Sequence, residues 1–163
     1  WFNNKYGEYF TEPEALITEV PRVKSLLEPT KKMSKSLGAG HVIEISDSPE
    51  VILKKMKKAV TASEGGDASV GVENLLLLLK HFGLEKQYKE YAAAQKDGSI
   101  RYGDLKQDLS EVIADHFSSF REKREELLSH HDAIADHLFA GAKKAQAVAQ
   151  KTMEDVRKMV GLR

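Results

Sequence analysis

The stretch that sets the fold class runs from Asp104 to Phe120 and reads DLKQDLSEVIADHFSSF. The side chains of its apolar stripe recur every three or four residues, the spacing that places them on one face of an α-helix. They are Leu105, Leu109, Val112, Ile113, His116, Phe117 and Phe120. Asp104 can cap the first turn, with Gln107 at the capping-box position. The stretch therefore predicts a long amphipathic helix from Asp104 to Phe120.

The same spacing predicts helices along the rest of the chain after Asp47. Ser48 is a suitable N-cap, with Pro49 at the first helical position. Further helices are predicted over 72–81, 84–96 and 129–139, ended by Gly83, Gly98 and Gly141, and a small-residue loop is predicted over 62–71. A last helix has an inner face made of Ala142, Ala145, Ala149, Met153, Val156 and Val160. The chain is thus predicted to be mainly α, with a helical bundle over 48–163.

Residues 1–47 have a different character. The end of a helix and an irregular stretch come first, and Val23–Leu27 and His41–Ile45 are compatible with short strands. Between them, Glu28–Gly40 has no period and many small residues, which predicts an exposed loop. We therefore place a domain boundary near Asp47, between 1–47 and 48–163.

The composition excludes several classes of protein. Lysine plus arginine and aspartate plus glutamate each number 25, and this zero net charge argues against a uniformly basic RNA-coating protein. The absence of cysteine excludes a disulfide framework, a thiolate zinc site and a cysteine nucleophile. The longest aliphatic run, Leu75–Leu79, is too short to cross a bilayer. Trp1 opens the chain inside amphipathic sequence without an initiator Met, so we expect a fragment of a longer protein.

The segment that carries chemistry is Lys31-Lys32-Met33-Ser34-Lys35-Ser36, with three ammonium groups within five positions. No acidic residue lies between Glu28 and Glu44 to neutralise them. A small-residue loop with lysines can close over a polyphosphate and bring positive charge to oxygens that gain negative charge as a bond breaks. On charge alone, a solvated surface turn is the simpler interpretation.

The string Lys32 to Ser36 resembles the KMSKS signature of the class I aminoacyl-tRNA synthetases, and its lead-in Pro29-Thr30-Lys31 resembles the tryptophanyl-tRNA synthetase family. Other segments similar to that family are Phe2 to Gly7, Lys58-Ala59-Val60-Thr61, Gly71-Val72-Glu73-Asn74-Leu75-Leu76, Tyr102 to Lys106 and Gly141 to Arg157. Because these segments are separated and in order, the resemblance covers nearly the whole chain.

The chain departs from the family pattern in two respects. Leu37-Gly38-Ala39-Gly40 follows the signature, where the family usually has Asp or Ser and then a polar turn with Asn. The family's His-x-Gly-His loop, which grips ATP, is absent, since neither the segment at His41 nor the one at His81 matches it. The resemblance implies that this loop, the tryptophan pocket and most of the nucleotide-binding sheet lie upstream of Trp1.

The resemblance implies both a fold and a reaction. Residues 48–163 would form a helical domain of the anticodon-binding type, and 1–47 would hold the last strand and the KMSKS loop of an α/β nucleotide-binding domain. The intact protein would be an ATP-dependent tryptophan–tRNA ligase. Tryptophan's carboxylate would attack the α-phosphate of ATP, and the activated amino acid would pass to tRNA(Trp).

The resemblance also implies roles for the loop residues. Lys32 and Lys35 would be catalytic contacts to the ATP phosphates, with Lys35 the main candidate for the charge on pyrophosphate. Met33 and Ser34 would offer backbone contacts near the nucleotide, and Ser36 would help to set the loop geometry. The intact protein would use ATP with Mg²⁺, lack a protein metal site, and act as a cytoplasmic homodimer without membrane contact.

Two alternatives stay open. The chain could be a non-catalytic helical RNA-binding or interaction module, because it carries basic surfaces; these are Lys54, Lys55, Lys57 and Lys58, and further on Arg121, Lys123 and Arg124. A tyrosine-specific relative is the other. No metal site is predicted from His130, His131, Asp132 and His137, which lack a pair of histidines four residues apart.

The 163-residue chain by itself is expected not to form the adenylate, because half of the ATP cleft would be missing. ATP–pyrophosphate exchange in the presence of tryptophan, measured beside a full-length enzyme of the family, checks this. Exchange by the chain above background would contradict it.

Overall fold

The computed structural model describes residues 1–18, 20, 22–61 and 69–162. Within them the backbone forms seven α-helices and two short 3-10 helices. The α-helices are α1 (Phe2–Tyr6), α2 (Pro49–Lys58), α3 (Ser69–Phe82), α4 (Glu85–Asp97), α5 (Tyr102–His116), α6 (Ser118–Leu128) and α7 (His131–Met159). The 3-10 helices are Lys35–Leu37 and Ala39–His41. The prediction of a mainly α chain is confirmed.

The two predicted strands, Val23–Leu27 and His41–Ile45, are wrong in the described part of the chain. The first forms a single antiparallel bridge, between Lys24 and Lys32. The second begins inside the 3-10 turn that ends at His41. A strand is stable only when a neighbour offers hydrogen bonds along its length. Here, among the described residues, Val23 and Ser25 form backbone hydrogen bonds with Met33 and Lys31 only. The next residue, Leu26, instead donates to His41 O and accepts from Val60 N.

The residues group into two compact units, Thr18–Arg124 and Trp1–Ile17 with Glu125–Arg163. In the first unit, α2 and α3 both pack against α5. Its apolar core contains Leu26, Ile52, Met56, Val72, Leu75, Leu79, Leu105, Leu109 and Ile113. The Tyr91 hydroxyl of α4 donates to Asp108 Oδ2 of α5 at 2.6 Å. The domain division at Asp47 concerns the parts of the longer family fold, and it stays a prediction.

The second unit is built from α1, the aromatic segment after it, and α7. The Tyr9 hydroxyl donates to Asp155 Oδ2 of α7 at 3.1 Å. Phe10 meets the rings of Phe2 and Tyr9 edge-on. Although α7 is amphipathic, none of its residues is buried.

Several predicted helix boundaries need correction. The helix predicted from Asp104 begins two residues earlier, and Asp104 lies in its first turn, where its carboxylate is 3.2 Å from Arg101 Nε. The same prediction continued to Phe120, whereas the structure ends α5 at His116 and starts α6 at Ser118. In the predicted loop over 62–71, residues 62–68 lie outside the described residues and 69–71 are helical.

Gly141 does not end a helix, as the sequence had predicted, but lies inside α7. A glycine inside a helix costs only about 1 kcal/mol relative to alanine, which a 29-residue helix can absorb. Gly98, in contrast, ends α4 in the left-handed conformation with φ 78°, as predicted. Ser48 caps α2 through its side chain, with Pro49 at the first helical position, which is also confirmed.

None of the helices in the described residues combines the length and the apolar character needed to cross a membrane.

Candidate functional site

The lead-in to the lysine-rich segment forms a tight turn. Lys31 N donates to Glu28 O at 2.8 Å, and Pro29 occupies the second position of the turn, where its fixed φ is favourable. Two backbone hydrogen bonds of 2.9 Å follow, from Ser25 N to Lys31 O and from Met33 N to Val23 O. The Pro-Thr-Lys lead-in therefore reverses the chain and pairs Lys31–Met33 with Val23–Ser25.

Asn74 of α3 holds this paired segment from the helical side. Its Oδ1 accepts from Lys24 N at 3.0 Å, and its Nδ2 donates to Lys24 O at 2.9 Å. Asn74 is only 3% exposed, and both of these bonds are partly buried. A Cβ on Gly71 would lie 2.2 Å from Val60 O, so only glycine lets α3 approach the chain there. The Gly71 to Leu76 motif thus docks the segment that precedes the loop.

Met33 connects the loop to the helical core. Its half-buried side chain packs against that core and lines an apolar cavity of about 190 Å³. The other lining residues are Val23, Ile43, Ile45, Leu78, Phe82, Ile113 and Phe117. Neighbouring side chains point to opposite sides of an extended backbone, which agrees with the exposure of Lys32 beside the half-buried Met33.

The three lysines of the segment are in different electrostatic states. Lys31 forms an ion pair with Glu28 and, by donating a hydrogen bond, lowers the pKa of that carboxyl below its usual value. Lys35 Nζ lies 2.9 Å from Glu44 Oε2. Within the part of the chain that the structure describes, no carboxylate pairs with Lys32. The expectation that the lysines are not neutralised is therefore wrong for Lys31 and Lys35. Their partners, Glu28 and Glu44, are the acidic residues at the two ends of the acid-free stretch.

The remaining loop residues form two consecutive 3-10 turns. Ser34 Oγ and Ser36 Oγ are 2.8 Å apart, and Lys35 begins the first turn. Gly38 joins the turns at φ 109° and ψ 159°, a region that only glycine adopts readily. His41 ends the second turn, and its Nδ1 lies 2.9 Å from the hydroxyl of the buried Ser25. The predicted irregular loop is thus well organised after Ser34.

The basic surface of α2 differs from the one predicted. Lys54, Lys57 and Lys58 are exposed, as the sequence suggests. Lys55 turns away and pairs with Asp47, and the two side chains are only 12% and 13% exposed. No group of three or more His, Asp or Glu side chains in the described residues is placed to hold a metal ion.

Sequence reasoning missed Ser25, Glu44 and Asp47 as residues that shape the loop. Asn74 was visible only as one letter of a family motif, with no structural role attached. The one available signal for Glu44 was its place as the first acidic residue after the lysines. Its pairing with Lys35 depends on the two 3-10 turns that bring residues nine positions apart together.

Comparison with known proteins decides the family. The sequence model for tRNA synthetases class I (W and Y) matches residues 2–118. The chain belongs to this family. A tryptophan–tRNA ligase of Wolinella succinogenes is 36% identical over 167 residues, and one of Bacillus anthracis is 38% identical over 168. Each alignment covers 99% of this chain and 50% of the relative, so the chain spans about half the length of these synthetases.

Solved structures of the family agree with the fold. Tryptophanyl-tRNA synthetase from Campylobacter jejuni, in a complex with ADP and tryptophan, matches with a TM-score of 0.70 at 32% identity. That match covers 99% of this chain and 50% of the other. The enzyme from Mycoplasma pneumoniae gives a TM-score of 0.72 at 26% identity. The resemblance to tryptophanyl-tRNA synthetases is therefore confirmed, whereas the roles of Lys32 to Ser36 stay predictions.

Replacing Asn74 by alanine should lower the free energy of unfolding by about 1–3 kcal/mol, because the N–H and C=O of Lys24 lose their partner in a partly buried place. Urea unfolding of the chain measures this loss. Glu73→Ala, on the exposed side of the same helix, is the matched control. A loss no larger than that of the control would contradict the docking role of Asn74.

Proposed function

We propose that this chain is part of a tryptophan–tRNA ligase, which activates tryptophan with ATP and transfers it to tRNA(Trp). The observation that carries the proposal is the KMSKS string on an ordered loop that presents its lysines to solvent, with the Lys35 side chain 73% exposed. The relatives named as tryptophan–tRNA ligases, of which this chain covers 50%, support tryptophan over tyrosine. Following the family, we place the enzyme in the cytoplasm as a homodimer.

The proposed activation step is a displacement at phosphorus. A carboxylate oxygen of tryptophan attacks the α-phosphorus of ATP, and the bond from that phosphorus to the bridging oxygen breaks. Pyrophosphate leaves and takes up negative charge as it does so. ATP enters as its Mg²⁺ complex, which is a substrate of the reaction. The adenylate then delivers tryptophan to the 3′ end of the tRNA, and AMP leaves.

Lys32 and Lys35 suit the role of stabilising the leaving pyrophosphate. Each carries a point charge on a flexible stem that can follow oxygens as they move. Lys32 has no carboxylate to release within the described residues, so it is available for the first contact with a phosphate. The Met33 side chain keeps the loop attached to the helical core while its two lysines reach outward. Ser34 and Ser36 hold the turn between them.

The exposed lysines of α2 support a second part of the proposal, the contact with tRNA. Lys54, Lys57 and Lys58 line one shallow surface together with Leu53 and Glu50. Such a cluster attracts the phosphate backbone, and binding releases the counterions that surround the nucleic acid. The same surface also fits the alternative function, a non-catalytic RNA-binding module that retains the loop without using it.

Lys35→Ala in the complete protein should slow ATP–pyrophosphate exchange by about 100- to 1,000-fold, because one charged donor to the leaving pyrophosphate is lost. Lys32→Ala should act in the same direction. Lys31→Ala is the matched control, since it removes an equal charge from the same loop at a lysine that precedes the KMSKS string. Equal rates for the Lys35→Ala and Lys31→Ala proteins would contradict the catalytic role.

Replacing Lys54, Lys57 and Lys58 together by alanine should weaken tRNA binding and reduce its salt dependence, since each lost phosphate contact removes about 0.7–0.9 from the slope of log K against log salt. Filter binding over a range of salt concentrations measures both. Lys86, Lys89 and Lys96, three exposed lysines of α4, are replaced as the control. The tRNA contact is wrong if both triple variants weaken binding alike. A noncatalytic module is favoured if the complete protein binds tRNA but shows no ATP–pyrophosphate exchange.

A further inference from the structure

The Lys35 ammonium, the proposed contact to pyrophosphate, has a carboxylate partner in this structure. Its Nζ donates to Glu44 Oε2 at 2.9 Å, across the two 3-10 turns of the loop. The Lys35 side chain is 73% exposed and that of Glu44 is 34% exposed. An ion pair with this much exposure to water is weak, so a stronger anion can displace the carboxylate.

Glu44 differs from Lys35 in how firmly it is held. Its backbone N–H donates to Asp47 Oδ2 at 2.8 Å. The same carboxylate oxygen accepts from Lys55 Nζ of α2, in an ion pair whose side chains are nearly buried. Ser48, which follows Asp47 in the sequence, caps α2. Glu44 therefore belongs to the helical side of the pair, whereas Lys35 belongs to the loop.

The geometry points to Glu44 as a positioning residue that holds the Lys35 side chain on the helical side until the phosphates of ATP displace the carboxylate. This inference rests on the proposed function of Lys35. The carboxylate and the phosphate oxygens compete for one ammonium, so Glu44 acts through Lys35 and needs no contact with ATP. The neighbouring Lys32 has no such partner in the described residues, and can make the first contact with the phosphates.

The test is Glu44→Gln in the complete protein, which keeps the shape of the side chain and removes its charge. The KM for ATP in pyrophosphate exchange should fall by about two- to fivefold, the range expected when an exposed ion pair no longer competes. The KM for tryptophan should not change. Glu28→Gln is the matched control, because it makes the same charge change beside the loop but frees Lys31. Thermal unfolding of each variant confirms that it is folded.

The Lys35→Ala background separates the two proposals. If Lys35→Ala slows exchange, and Glu44→Gln lowers the KM for ATP when Lys35 is present but not in the Lys35→Ala background, the positioning role stands. If Lys35→Ala slows exchange but Glu44→Gln alone leaves the KM for ATP unchanged, raises it, or lowers it no more than Glu28→Gln does, Glu44 has no such role and the proposed function remains. If Lys35→Ala does not slow exchange, the catalytic role of Lys35 fails and the inference fails with it.

Discussion

The contact between the Asn74 amide and the backbone of Lys24 is the constraint on which the loop depends. A single side chain supplies both the acceptor and the donor that a neighbouring strand would otherwise offer. It does so from a helix, because Gly71 leaves room for α3 to come close to Val60. With Lys24 held in place, the bridge to Lys32 positions the start of the signature relative to the helical core.

The loop also shows how one run of lysines can take up different electrostatic surroundings. The three lysines are chemically alike, and only their local backbone decides which carboxylate they reach. The turn at Pro29 returns Lys31 to Glu28, and the 3-10 turns bring Lys35 to Glu44. Lys32 lies between them on the extended segment, facing solvent. Distance along the sequence to the nearest acidic residue would not have shown which lysines are paired, since the two ion pairs span three and nine positions.

Helices were the part of the fold that could be predicted well, because their periodicity and caps are local. Ser48 with Pro49, and Gly98, acted as the sequence indicates. Boundaries failed where a local preference was weak, as at Gly141, which a long helix includes at small cost. The strands failed for a different reason: an extended segment becomes a strand only when a distant segment pairs with it, and apolar alternation does not show whether that partner exists.

The amino-acid sequence by itself determined the helical class, the family, and the identity of the candidate loop residues Lys32 to Ser36. These follow from residue type and spacing along the chain. Only the tertiary structure decided which of the three loop lysines has no carboxylate partner among the described residues, and that Met33 packs against the core. It also decided that Asn74, Glu44 and Asp47 shape the candidate site. The reason is physical: each of these roles is a contact whose distance and burial depend on how turns and helices bring separate parts of the chain together.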